Sequence, residues 1–169
     1  MSFEKKLNEV DVIIFDFFDT IMGRNVDDDT LIHIWASEVA AKLKYKISAT
    51  DIYDSRSKAN IILFYEKRNT EEANYQSIMQ KIYTLCHEKL SGISYMEFFD
   101  VCYRTEIEIE CRKQYLIAET MSLINKARSQ GKKIGIMSDY YLGKKELVIF
   151  LKNKGVDINI FDDILVSSE

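Results

Sequence analysis

Asp16 and Asp19, three positions apart and followed at once by Thr20, carry the clearest chemical potential in the chain. A carboxylate can serve as a nucleophile, as a general acid or base, or as a metal ligand. The residues before them, Val12-Ile13-Ile14-Phe15, form an apolar run too short for a helix of ordinary length. Such a run fits a strand covered on both faces, as in a parallel sheet. In open parallel sheets ligands lie beyond the carboxyl ends of the strands, where Asp16, Asp19 and Thr20 would then stand. The same stretch also fits an ordinary strand ending in a turn capped by Asp and Thr, and taken alone it does not choose between the two.

A second copy of the pattern lies far along the chain. Lys132-Lys133-Ile134-Gly135-Ile136-Met137-Ser138 runs from charge through an apolar strand to a polar end, and Phe161 to Ser168 reads as a third strand. The spacing predicts parallel strands near 11–16, 132–138 and 163–167, with a helix from Gly143 to Lys154 between the last two and Gly155 ending it. About 115 residues separate Asp16 from Lys132, far more than the dozen or so that a parallel crossover needs. One helix, read from Gln114 to Gln130, suffices for the return. The remainder then reads as an inserted bundle that shields the acids from water or selects a substrate.

Four amphipathic helices fill that insertion. The first buries Leu31, Ile34, Trp35, Val39 and Leu43; the second, from Asp51 to about Lys67, turns Ile52, Ala59, Ile62 and Leu63 inward. The third follows Glu72, carries Tyr75, Ile78, Met79, Ile82, Tyr83 and Cys86 and stops at Gly92, and the fourth begins after Ser94 and runs to about Lys113 with Phe98, Phe99 and Cys102. The acidic run Asp27-Asp28-Asp29 before the first helix is read as capping, with a metal site as the alternative. Tyr65, Arg68 and Arg104 could meet an anion, or simply face solvent.

Composition narrows the class. The chain is 47% apolar and 30% charged with net charge −4, its basic residues scattered, which argues against nucleic acid and against an anionic membrane surface as partners. No apolar run approaches the roughly 20 residues of a membrane span, and the N-terminal segment is broken by Asp11 and Asp16, so it is not read as a secretory signal. Cys86, Cys102 and Cys111 show neither pairing nor metal spacing, which suits free thiols in a reducing, cytoplasmic compartment.

Phe15-Asp16-Phe17-Phe18-Asp19-Thr20, a helical insert, and then Ile134 to Asp139 together resemble the haloacid dehalogenase superfamily. More narrowly they are similar to its branch with a Phe-Asp-x-Phe-Asp-Thr first motif and a second motif ending Ser-Asp-x-Tyr-Leu. The resemblance implies an α/β, Rossmann-like, three-layer core from residues 1–24 and 114–169, with a helical cap inserted at 25–113. It implies that Asp16 is the nucleophile of a phosphohydrolase forming an aspartyl-enzyme ester on a small phosphorylated metabolite, such as a sugar phosphate. Thr20 would orient the first motif beside the phosphate, and Ser138 would hydrogen-bond the phosphoryl group, with capping of the next helix as its other reading. Mg²⁺ would be held by the Asp16 side chain and the backbone carbonyl of Phe18.

Two departures from that pattern matter. Where the phosphatases carry a general acid two residues after the nucleophile, this chain has Phe18, so Asp19 either substitutes as the acid or fixes the turn. The dehalogenase branch also lacks that acid and needs no metal, which keeps a metal-independent hydrolase open, as does a non-catalytic binding module on the same fold. The third-motif lysine and fourth-motif acids have no counterpart up to Glu169, so the chain reads as an N-terminal portion of a catalytic domain, with negligible activity expected of these residues alone. The first strand would be left as a sheet edge, to be covered by a second copy in a homodimer or by another chain.

Overall fold

The structure, a computed structural model, describes residues 9–66 and 73–167. The chain divides into two compact units, Met1–Asn25 with Gln114–Ser167, and Val26–Lys113.

The first unit is built on a parallel sheet of β1 (Val12–Asp16), β4 (Lys133–Ser138) and β5 (Asp163–Val166), in the order β1-β4-β5. β1 pairs with β4 from Val12↔Lys133 to Asp16↔Met137, and β4 with β5 from Gly135↔Asp163 to Ser138↔Val166. Alternation puts Phe15, Ile134, Ile136, Ile164 and Val166 on the buried face. Helices α5 (Ala118–Ser129) and α6 (Lys144–Asn153) pack there through Ile124, Ala127, Leu147, Phe150 and Leu151. Val12 and Ile14 are 54% and 56% exposed, so among the described residues the apolar run is covered on one face, the side of the sheet that both helices serve.

A two-stranded antiparallel ribbon, β2 (Met22–Arg24) with β3 (Gln114–Leu116), was not expected. The segment from Gln114 to Gln130 is therefore not one helix: its first three residues pair with β2, and the helix starts at Ala118. Gly23 fits the pairing because the Tyr115 ring lies where a Cβ would be, 2.6 Å from Tyr115 Cζ.

Asp162 bolts the sheet just before β5. Its carboxylate accepts from the Ile134 amide at 2.8 Å and from Arg128 Nη1 at 2.7 Å, while its own amide donates to the Ile134 carbonyl. The amide bond first, and then the Arg128 charge, hold its carboxyl below the usual range.

The second unit has four helices, α1 (Asp28–Lys42), α2 (Ala49–Glu66), α3 (Tyr75–Cys86) and α4 (Tyr95–Lys113), around Trp35, Ile52, Met79, Ile82 and Phe98. Asp27 caps α1, accepting from the Thr30 amide and hydroxyl at 2.8 Å each, and Asn74 caps α3. Thr30 thereby lowers the Asp27 carboxyl, and Asp29 accepts from Tyr53. The acidic run thus serves the helix end, and among the described residues no group of three or more His, Cys, Asp or Glu stands ready for a metal. Inside the bundle Arg56 makes two hydrogen bonds to Glu106, at 2.6 and 2.8 Å, beneath the Trp35 ring at 4.4 Å. Burial raises the Cys102 thiol well above its ordinary value, and all three cysteines are free. Among the described residues no helix is long and apolar enough to cross a membrane.

Two outcomes are expected. Glu106→Gln leaves the Arg56 charge buried and only partly compensated, and should cost roughly 3–5 kcal/mol in urea unfolding, whereas replacing both with apolar residues of similar volume should cost far less. Because the folded Asp162 carboxyl is depressed, its contribution is present above the unfolded carboxylate range and lost as pH falls through the folded value. Asp162→Asn should therefore unfold more easily at pH 7 and lose less stability than the parent between about pH 5 and pH 2, read from denaturation midpoints across that range.

Candidate active site

The carboxyl ends of β1 and β4 lie side by side because the two strands are parallel and in register. Asp16 pairs with Met137, so Ser138 adjoins the position paired with Asp16 on the neighbouring strand. Asp16 is exposed at the strand end and accepts a hydrogen bond from Thr20 Oγ1 at 3.2 Å. Ile21 and Met22 both donate from their amides to the Phe17 carbonyl at 2.9 Å, folding the turn that returns Thr20 to Asp16.

Asp19 sits at the tip of this turn with φ 52°, a left-handed conformation that aspartate tolerates better than most residues. Its amide donates to the Met22 carbonyl at 2.8 Å. The geometry thus gives Asp19 a turn role outright, and its exposed carboxylate stays available for proton transfer.

Ser138 is 3% exposed, and its hydroxyl is buried with no hydrogen-bond partner among the described residues. It does not cap the next helix. That place belongs to Gly143, whose amide donates to Glu146 Oε2 at 3.0 Å. A buried hydroxyl at a strand end with nothing to bond is costly unless something else arrives to bond it.

Phe18, in the acid's place, is held in an aromatic stack. Its ring lies 4.6 Å from that of Tyr140 and 4.9 Å from that of Phe17, with the Arg24 guanidinium 4.1 Å above its centroid. Arg24 also lies 5.8 Å from the Tyr140 ring, and Tyr140 packs on Tyr141 and Phe150. The stack ties the loop after β1 to the loop after β4 and supplies a cation to the same cluster. Sequence reasoning assigned no role to Arg24 or Tyr140. The available signal was a pair of aromatics just beyond each strand end, Phe17-Phe18 and Tyr140-Tyr141.

The residues expected to hold magnesium offer one side-chain carboxylate and one backbone carbonyl, Asp16 and Phe18. Magnesium takes six oxygens in near-octahedral array, and among the described residues no group of three or more His, Cys, Asp or Glu could hold a metal. These residues alone do not build a metal centre. Of the cap residues named for anion contact, Arg104 is paired with Asp100 on an exposed helix face, Tyr65 is 72% exposed, and Arg68 lies outside the described residues.

No family model matches the chain, and no curated protein matches it. Solved structures do. The chain aligns with YfnB of Bacillus subtilis, assigned as a HAD-hydrolase and bound to magnesium, at 17% identity and TM-score 0.57, covering 92% of this chain and 64% of that one. A Thermotoga maritima protein assigned as a beta-phosphoglucomutase gives 12% identity and TM-score 0.60 over 94% of this chain and 62% of that one. The 2-haloacid dehalogenase of Pseudomonas syringae gives 11% and 0.58 over 94% and 64%. The chain therefore has the haloacid dehalogenase-like fold, and it spans less than two thirds of the length of each of these structures.

Ser138→Ala checks the unpartnered hydroxyl in the absence of any substrate. Removing a buried group that has no partner should leave the thermal midpoint unchanged or raised, within about 1 kcal/mol. A loss of several kcal/mol would mean that the hydroxyl is bonded within the folded protein.

Proposed function

We propose that this chain carries the nucleophile of a hydrolase acting on the phosphate ester of a small metabolite, with sugar phosphates the first class to try. The observation that supports this most is the buried, unpartnered Ser138 hydroxyl beside the strand position paired with Asp16. A phosphoryl oxygen is the kind of acceptor that such a hydroxyl lacks.

In this reading an Asp16 oxygen attacks phosphorus, and the bond from phosphorus to the leaving alcohol breaks. The Thr20 hydroxyl, 3.2 Å from Asp16 Oδ2, holds the carboxylate in one orientation. Ser138 donates to the transferred group. Asp19 gives the leaving oxygen its proton and then draws one from the water that attacks the aspartyl phosphate. Phosphate leaves, and Asp16 is again a carboxylate. A cytoplasmic location goes with this reading, since three free cysteines suit a reducing compartment.

A second reading is favoured by Phe18. Its ring is packed between Phe17, Tyr140 and Arg24, so the usual place of the acid is apolar and filled, which suits attack of Asp16 on carbon without a metal. Magnesium dependence separates the two. Turnover of an aryl or sugar phosphate that disappears with EDTA and returns with Mg²⁺ supports the first, whereas release of halide from a 2-haloacid in EDTA supports the second.

In the phosphatase reading Asp16→Asn, made in the polypeptide as its own cell produces it, should abolish phosphate release while leaving the unfolding midpoint close to the parent's. Asp19→Asn should cost on the order of 10²–10⁴ in kcat. Near-parental turnover by Asp16→Asn would remove the nucleophile from both readings, and near-parental turnover by Asp19→Asn would remove only the proton transfer. A folded polypeptide, as its own cell produces it, that turns over neither substrate class would leave a binding role.

A further inference from the structure

The loop after β1 closes on itself and brings a cation back over the strand ends. Phe18 bridges to Met22, the Asp19 amide donates to the Met22 carbonyl, and Arg24 ends β2, paired with Gln114. These bonds fix the backbone of Arg24. Its half-buried side chain lies over two rings, 4.1 Å from the centroid of Phe18 and 5.8 Å from that of Tyr140. Phe18 stands two residues beyond Asp16, and Tyr140 two beyond Ser138. The guanidinium is thus held where the loops that follow β1 and β4 meet.

A cation–π contact alone accounts for an arginine on an aromatic surface. The surroundings ask for more. The Ser138 hydroxyl, 3% exposed, lacks an acceptor among the described residues. Stacking engages the face of a guanidinium, whereas its N–H donors lie in the plane, in a fork that matches two oxygens of one phosphate. Rings against that face keep water from it, which strengthens its pull on an anion. Other cations of the same unit are engaged elsewhere, Arg128 by Asp162 and Lys144 by Asp163. A carboxylate nucleophile such as Asp16 approaches a phosphate ester against like charge, and a fixed cation at the strand ends offsets that repulsion.

We propose that Arg24 is the phosphate-binding cation of this site, its guanidinium receiving the phosphoryl oxygens together with the Ser138 hydroxyl. The inference rests on the phosphohydrolase reading of the strand ends and names the group that recognises the substrate's charge.

The test is calorimetric titration with inorganic phosphate, and separately with acetate, of the polypeptide as its own cell produces it. Arg24→Met should weaken phosphate binding about 10–100-fold, the loss expected of one charge-assisted contact. Arg24→Lys, which keeps the charge without the fork, should weaken it less. Arg104→Gln, on the exposed helix face of the other unit, should leave it unchanged. Unfolding midpoints show which variants fold, and Arg24→Gln serves if Arg24→Met does not. Phosphate binding that is absent from the parent, indifferent to Arg24, or weakened equally by Arg104→Gln overturns the proposal. So does acetate binding through Arg24 in place of phosphate. Turnover enters none of these readouts. A parent that binds phosphate through Arg24 yet hydrolyses no ester keeps this inference and loses the hydrolase, and hydrolysis with phosphate binding indifferent to Arg24 does the reverse.

Discussion

The parallel pairing of β1 with β4 is the constraint on which the rest of the first unit depends. It joins residues more than a hundred positions apart and brings two strand ends to the same edge of the sheet. Register does the fine work. A slip of one residue in β4 would turn Ile134 and Ile136 to solvent and carry Ser138 to the other face. Burial of those isoleucines resists the slip, and so do the Asp162 bonds to both backbone groups of Ile134. Hydrophobic burial and one carboxylate hold the strands in step, which keeps Asp16 opposite Met137, the residue before Ser138.

The strands were legible because branched residues ending in a polar group leave a plain trace, and the observed bounds fall within a residue or so of the expected ones. What the run at Val12–Phe15 could not show was how many faces are covered. An apolar residue reads the same whether or not a helix lies above it. Gln114–Leu116 was lost to helix because its pairing with Met22–Arg24 is a contact with a distant segment, invisible in any local period. Arg56 and Glu106 escaped notice for a similar reason. Each reads as a solvated charge on its own helix, and only the meeting of α2 with α4 buries them together.

Near the strand ends, the placement of Asp16 and Ser138 as the last residues of β1 and β4 could be read from the sequence, whereas the environment of Phe18 could not. The sequence shows an absence there, a position without an acid. The structure shows something present: a ring gripped by two other aromatics and by Arg24. A charged carboxylate would have to give up much of its hydration to stand there, although Arg24 would offset part of that cost. At this position the chain carries a ring that joins its two loops.

The β2–β3 ribbon has a consequence for the ancestry and engineering of the fold. The chain leaves the sheet after Arg24 and returns at Gln114, and three residue pairs hold these points together. Closing a loop grows dearer only logarithmically, so an excursion of about 90 residues costs roughly 2 kcal/mol of entropy more than one of about ten. The compact unit Val26–Lys113 buries a core of its own against that cost. Between those clasped ends a helical unit of another length leaves the three ribbon pairs as they are. Recombination can therefore act on the excursion as a cassette.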